Sequence, residues 1–383
     1  LNRATEPITT QPREKIIVGL SGGVDSAVAA LTLVESGADV EALFMFNWDE
    51  DETGRCQAAA DFDDAAAVCR QLDIPLHRAD FSANYKARVF SYFLDRLQAG
   101  RTPNPDVLCN REIKFGVFFD YALRLGADRV ATGHYARVGS ADAEPALFRG
   151  RDPGKDQSYF LAAMPRTTLA RTLFPLGDMV KSEVRERARS AGFDVHAKPD
   201  STGVCFIGER DFEGFLRNYL NTDPGPIRVS GGALDGQLIG EHRGLHAYTV
   251  GQRRGLGLGG VAGAQPSPWF VADKTVADNT LWVTQEPDHP RLTATQLTTS
   301  ACDWLIDAPT RAFKCTAQVR YRQAAVACRV EPLANNALNV TFDRPPGSIA
   351  EGQYVVFYDH ERCLGAAEIE HVETDTTPGR ATV

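Results

Sequence analysis

The sequence predicts an α/β fold, a doubly wound parallel sheet, followed by a small mixed central segment and an all-β C-terminal unit. Three observations carry this. Short apolar runs of buried-strand length alternate with helix-length segments from Lys15 to about Tyr135. That rhythm weakens past Tyr135, and glycine-rich loops enter. From about Leu292 the pattern is purely β, with turn signals between short alternating strands.

Taken in order, Lys15–Leu20 reads as a short apolar strand and Ala27–Ser36 as a helix stopped by Gly37. Val40–Phe46 is a second strand, Ala58–Leu72 a helix and Pro75–Ala79 a third strand. Helices follow at Phe90–Leu97 and Ile113–Leu125, then a strand Arg129–Thr132 that ends at Gly133-His134-Tyr135. Ligands of such sheets bind outside the carboxyl ends of the strands. The loop after the first strand, Met45 and Gly133 therefore belong to one edge. Met179–Ala191 is a helix closed by Gly192, His196 to Gly208 an irregular loop, and Arg210–Leu220 a short helix carrying Phe212, Phe215 and Tyr219. Beyond the Asp223-Pro224-Gly225-Pro226 break come short strands and a glycine-rich stretch from Gly251 to Gly263. The C-terminal strands are Cys315–Tyr321, Ala325–Val330, Leu338–Phe342 and Tyr354–Tyr358, a small barrel or sandwich.

A length of 383 residues suggests two or three domains, placed at 13–170, 171–285 and 286–383. Hydrophobic content of 43% beside 24% charged residues marks a soluble globular protein, and no apolar run has the length of a membrane span. The polar stretch Leu1 to Pro12 lacks the apolar core of a signal peptide, so a loose tail and cytoplasmic residence are expected; the opening leucine suggests trimming. A net charge of −9 argues against nucleic acid for the surface as a whole, yet local patches exist: Lys181 with Arg185, Arg187 and Arg189, then Arg253-Arg254, then Arg320 and Arg322. The first of these is equally readable as a solvated helix face. The eight cysteines, at 56, 69, 109, 205, 302, 315, 328 and 363, form no C-x-x-C and no zinc-finger spacing, so no structural metal site is expected and most should be reduced packing residues.

The run Ser21-Gly22-Gly23-Val24-Asp25-Ser26 sits where a strand gives way to a helix. Adjacent glycines permit positive φ and close backbone approach, so that successive N–H groups and the helix N-terminus face an anion. Ser21 and Ser26 add hydroxyls, and Asp25 could hold a helix N–H or a metal ion. It is not a Walker A loop, since Leu20 to Ser26 contains no lysine. The plain alternative is a turn that merely caps a helix. A second motif, Pro103-Asn104-Pro105-Asp106-Val107-Leu108-Cys109, ends beside a helix start near Arg111 and Lys114, where a thiolate would be stabilised. Cys109 is thus a candidate nucleophile, and burial for packing is its equal alternative. Cys205 lies in a glycine-flanked loop, Ser201-Thr202-Gly203-Val204-Cys205-Phe206-Ile207-Gly208, suited to movement and access.

Ser21 to Ser26 resembles the signature of the ATP pyrophosphatases, which cleave ATP between the α and β phosphates. Together with the Asn104 to Cys109 loop, Ala131-Thr132-Gly133-His134-Tyr135, Lys155-Asp156-Gln157-Ser158-Tyr159-Phe160, the Cys205 loop and Gly251-Gln252-Arg253-Arg254-Gly255-Leu256, it resembles the bacterial tRNA-specific 2-thiouridylases in the family's order, from about Lys15 to Glu370. The resemblance implies an adenine nucleotide alpha hydrolase-like ATP pyrophosphatase domain, a central tRNA-binding domain whose Cys205 loop reaches the active site, and a C-terminal β-barrel. It implies that Gly19, Leu20, Ser21, Gly22, Gly23, Val24, Asp25 and Ser26 hold the phosphates of ATP, with Mg²⁺ offsetting their charge, and that Met45 and Gly133 contact the adenosine. Asn104, Pro105 and Asp106 would meet a flipped wobble uridine. His134, Lys155, Asp156, Gln157, Arg320, Tyr321 and Gln353 would contact tRNA. Cys205 would carry a persulfide received from an upstream sulfur carrier or cysteine desulfurase, Cys109 would be its partner nucleophile, and Asp106 an acid or base. The implied partners are the wobble-uridine tRNAs for Lys, Glu and Gln, with no membrane and a monomeric enzyme. The residues also admit three other readings: an amidating pyrophosphatase, an enzyme in which Asp106, Cys109 and Cys205 hold an iron–sulfur cluster, and an RNA-binding scaffold.

Overall fold

A computed structural model describes residues 14–48, 57–200, 212–220 and 223–374. Its first sheet contains β1 (Lys15–Gly19), β2 (Asp39–Phe46), β3 (Leu76–Asp80), β4 (Arg129–Ala131) and β7 (Thr172–Leu173), in the order β3-β2-β1-β4-β7 and parallel throughout. Side chains alternate across it because the strand period is two. Ile17 and Leu43 join Val89, Phe93, Ile113 and Phe118 on one face, while Ile16, Val18, Ala42 and Phe44 join Val28, Val68 and Val184 on the other. Helices α1 (Val24–Glu35), α2 (Gln57–Leu72) and α3 (Lys181–Ser190) cover the second face. Two long helical runs, 82–98 and 105–124, cover the first. The sheet is doubly wound, as the sequence predicts.

The run at 105–124 starts eight residues before the expected Ile113. Asn104 is its N-cap, accepting a hydrogen bond from the Val107 N–H at 3.3 Å, and Pro105 takes the first helical position, where its missing N–H costs nothing. Cys109 accordingly lies in the second turn of this run, at the start of a wide segment, Cys109–Val117, that bends at Gly116.

A hairpin, β5 (Ala136–Ala141) and β6 (Glu144–Arg149), leaves the parallel sheet after Tyr135. The middle sheet consists of β8 (Gly225–Val229), β9 (Leu238–His242), β10 (Phe270–Thr275) and β11 (Thr280–Thr284), in the order β10-β11-β8-β9. The last part holds β12 (Gln296–Thr299), β13 (Asp303–Trp304), β14 (Phe313–Gln318), β15 (Val326–Pro332), β16 (Leu338–Phe342), β17 (Tyr354–Asp359) and β18 (Arg362–Glu373). Its path β12-β16-β15-β14-β17-β18 closes because β12 pairs back onto β18, so the unit is a barrel rather than an open sandwich. The hairpin joins it through β6, with Phe148 opposite Arg362 and Leu147 opposite Cys363.

The barrel docks on the α/β unit through β18. Leu364, Ala367 and Ile369 enter the barrel core, whereas Cys363 and Ala366 enter the core of the α/β unit. Glu368 is buried beneath Tyr92 and receives Arg96 Nε at 3.0 Å, and Arg96 also reaches Glu370 at 3.1 Å. The Thr102 N–H donates to the Glu351 carbonyl at 2.8 Å. No helix among the described residues is long and apolar enough to cross a membrane.

Candidate active site at the carboxyl edge of the parallel sheet

β1 lies between β2 and β4, and the strand order reverses there, so the carboxyl ends of β1 and β4 flank the crevice in which open α/β sheets bind ligands. Ser21 to Ser26 occupies that crevice. Ser26 Oγ accepts from the Ser21 N–H at 3.1 Å, donates to the Gly23 carbonyl at 3.0 Å and touches Ser21 Oγ at 3.2 Å, which ties the loop into a ring. Gly22 has φ +73, and a Cβ there would stand 2.2 Å from the Asp61 carbonyl oxygen. Gly23 is extended and precedes α1 with no side chain capping it, so the first-turn N–H groups point at the site without a side-chain partner from the N-cap. Gly133 presses the end of β4 against this turn: a Cβ would lie 2.8 Å from Asp25 C and Ser26 N. Met45, half-buried, stands at the end of β2 beside the same edge.

Cations gather around the loop. Lys181 Nζ donates to both Asp25 carboxylate oxygens at 2.7 and 2.8 Å and pairs with Asp200 at 2.7 Å. Lys155 and Arg185 also converge on Asp200, at 2.5 and 2.7 Å. Burial alone would raise the Asp200 pKa, but its pairs with Lys155 and Lys181 outweigh this and hold it at about 2. Lys198 Nζ donates to the Gly22 carbonyl at 3.0 Å and bridges Asp61 and Asp64 at 2.7 and 2.6 Å. Tyr135 Oη donates to Asp25 at 2.7 Å. Asp25 is therefore held from two sides, which fixes the one carboxylate of the loop. The described residues contain no cluster of three acidic, His or Cys ligands. Mg²⁺ characteristically takes one or two carboxylates plus substrate phosphates and waters; Asp25 is the loop's one candidate ligand for it, its two oxygens here engaged by Lys181 and Tyr135.

His134 is buried; desolvation and then the Lys114 charge push its pKa well below the usual value, so the ring is neutral. Lys114 Nζ lies 3.4 Å from Nε2 and Thr132 Oγ1 2.8 Å from Nδ1. A lysine can only donate, which makes Nε2 the acceptor and places the ring proton on Nδ1 toward Thr132.

The expected substrate residues meet in part. Asn104 Nδ2 reaches Gln353 Oε1 at 3.5 Å, and Gln353 Nε2 donates to the Thr102 carbonyl at 2.8 Å, so two residues 249 apart form one surface. Pro105 is buried and Asp106 half-buried in the first turn of the run. Cys109 is fully buried, and its neighbour Arg111 is engaged by Asp303 at 2.9 Å. Other residues are committed internally. Asp156 accepts from Arg149, the Gly150 N–H and both donors of Ser158, at 2.9 to 3.1 Å. Gln157 clasps Tyr135 twice, each at 2.9 Å, and so braces the Gly133 loop. Arg320 donates to the Val250 carbonyl, and the Tyr321 ring packs 4.4 Å from Phe160. Arg187 and Arg189 of the basic patch pair with Glu35 and Glu186, while Arg253 and Arg254 are exposed. Cys205 and its loop lie outside the described residues.

Sequence reading did not single out Lys198, Asp200 or Tyr135 for the site, and it placed Lys181 only in a basic patch. Lys181, Lys198 and Tyr135 reach the loop from more than 100 residues away, Asp200 joins it only through Lys181, and no local pattern marks such contacts.

Fold and loop together define an α/β protein of nucleotide-binding type. Comparison with known proteins agrees with that class: the family described as tRNA methyl transferase HUP domain matches residues 14–209, the tRNA methyl transferase PRC-barrel domain residues 213–285, and the aminomethyltransferase beta-barrel domain residues 294–369. The chain is 50% identical over 367 residues to the tRNA-specific 2-thiouridylase MnmA of Hahella chejuensis, covering 95% of this chain and 100% of that protein. It is 49% identical over 362 residues to the enzyme of the same name from Legionella pneumophila strain Lens, covering 94% and 99%. Among solved structures, the U34-tRNA thiolase NcsA of Methanococcus maripaludis with its [4Fe-4S] cluster aligns at 17% identity and TM-score 0.33, over 51% of this chain and 62% of that one, too slight a likeness to carry an argument. The chain belongs to the tRNA-specific 2-thiouridylase family.

Proposed function

We propose that this protein uses ATP, with Mg²⁺, to replace the C2 oxygen of the wobble uridine of tRNA by sulfur. The observation that carries the ATP step is the Ser21–Ser26 ring at the strand-order switch, with an open helix N-terminus and Lys181, Lys155, Arg185 and Lys198 around it. Anionic phosphates suit those N–H groups and cations, and a pyrophosphate leaving group gains from both. Family membership directs the acceptor to tRNA.

In this reading the uridine O2 attacks the α phosphate, the bond to the β phosphate oxygen breaks, and pyrophosphate leaves. The terminal sulfur of a Cys205 persulfide then attacks C2, and the adenylated oxygen departs as AMP. Cys109 thiolate attacks the Cys205 sulfur, leaving the transferred sulfur on the base and a Cys109–Cys205 disulfide that a thiol reductant reopens. Asn104, Pro105 and Asp106 receive the flipped base, and Gln353, Lys155, Arg320 and Tyr321 the tRNA beyond it. The tRNAs for Lys, Glu and Gln, a persulfide-bearing carrier or desulfurase, a monomeric state and a cytoplasmic setting belong to the same proposal. So does the division at 13–170, 171–285 and 286–383, with the β5–β6 hairpin serving the barrel. The test is tRNA-stimulated exchange between ATP and labelled pyrophosphate. Cys109→Ser and Cys205→Ser should keep exchange and lose the thiolated product; full product from either variant refutes the sulfur route, and absence of exchange with unmodified tRNA refutes adenylation.

A further inference from the structure

The barrel contains a second pair of thiols remote from the nucleotide loop. Cys315 on β14 stands directly opposite Cys328 on β15, and their sulfurs are 3.7 Å apart. Directly paired residues of antiparallel strands have Cα atoms about 4.5 or 5.5 Å apart, both inside the span a disulfide bridges, so closure to an S–S bond of about 2.0 Å needs side-chain rotation and little backbone movement. The two thiols differ in access: Cys315 is half-buried at the edge of the barrel core, and Cys328 is 2% exposed within it. Neither has a place in the transfer of sulfur to the base, and their chemistry is independent of that reaction.

We propose that Cys315 and Cys328 form a second thiol–disulfide site, which closes to a cross-strand disulfide on reaction with a low-molecular-weight disulfide. Cys315 is the entry point. Its thiolate attacks one sulfur of the small disulfide, the S–S bond breaks, and the first small thiolate leaves. Cys328 thiolate then attacks Cys315 Sγ, forms the protein disulfide and expels the second small thiolate. The two protein thiols lose two electrons, the reagent gains them, and the two thiol protons end on the two small thiols. The hydrogen bond from Cys328 and then burial hold the Cys315 thiol well above the ordinary range, so the rate of closure rises steeply with pH. Closure ties β14 to β15 across the connection that carries Arg320 and Tyr321.

Trypsin separates the participants cleanly, placing Cys315 in the peptide 315–320, Cys328 in 323–329 and Cys109 in 102–111. The full-length protein is incubated with oxidised glutathione at rising pH, its remaining thiols are alkylated, and the digest is analysed by mass. The expected product is peptide 315–320 joined to 323–329, two hydrogens lighter than the sum of the reduced pair, lost again on treatment with dithiothreitol. In Cys328→Ser the expected product is instead a persistent glutathione adduct on Cys315. Recovery of both peptides singly alkylated after exhaustive oxidation overturns the proposal, and so does a stable glutathione adduct on Cys315 in the unsubstituted protein.

Discussion

Replacing Gly22 by alanine tests whether the loop's shape is imposed by its packing. At φ +73 an L-residue loses roughly 1–2 kcal/mol against glycine. The added Cβ would also stand 2.2 Å from the Asp61 carbonyl oxygen, well inside the 3.0 Å that real Cβ contacts respect. Asp61 cannot simply withdraw, because Lys198 ties it to Asp64 and to the Gly22 carbonyl. Overpacking of this kind costs roughly 1–3 kcal/mol, which brings the total to about 3 kcal/mol. For a unit of 150–250 residues that corresponds to a fall in Tm of about 6–12 °C. Gly23→Ala is the control: its φ of −100 suits any residue, and the new Cβ meets only Ser21 Oγ at an ordinary 3.5 Å. It should cost no more than about 1 kcal/mol, the usual penalty for alanine at an N-cap. Calorimetric unfolding of the two variants, with ATP titration of each, gives the comparison. A Gly22→Ala protein as stable as the Gly23→Ala protein, binding ATP as the parent does, would refute the reasoning.

Two further outcomes are expected. Lys274 Nζ donates to the Tyr248 carbonyl at 3.0 Å, and burial, partly offset by Asp273 and Glu351, lowers its pKa from 10.5 to about 8. Between those values the unfolded chain binds the extra proton, so stability should rise with pH from about 8 to 10.5, by at most about 1.4 kcal/mol per pH unit, and Lys274→Met should lack that part of the rise in a series of melting curves. Asn104→Ala removes the N-cap of the run 105–124 and the contact with Gln353, and should cost about 1 kcal/mol in thermal unfolding while lowering the rate of tRNA thiolation more than ATP affinity; an unchanged rate would separate Asn104 from the base.

What was legible in the sequence was local. The strand, glycine pair and helix around Ser21 to Ser26 are neighbours in the chain, and period-two and helical patterns place β1, β2, α1 and α2 within a few residues. The start of the run at Pro105 was also legible, since Asn104-Pro105 is an N-cap followed by a first-turn proline; a start at Ile113 is too late by two turns. β18 escaped notice for a different reason: it is buried on both faces, by the barrel and by the α/β unit, so its apolar residues do not alternate. The ring of cations was not legible at all. Lys181 and Lys198 meet the loop, and Asp200 meets Lys181, only because α3 and the segment after it fold back over α1.

The central claim is that the ATP-binding loop serves sulfur transfer to a tRNA base. The most direct measurement is mass analysis of wobble-position nucleosides after purified protein is incubated with unmodified tRNA, ATP, Mg²⁺ and a persulfide donor. The account predicts a uridine in which sulfur has replaced oxygen at C2, with one AMP and one pyrophosphate released for each sulfur installed. Unmodified uridine in the presence of all four components, or thiolation that proceeds without ATP, would contradict it.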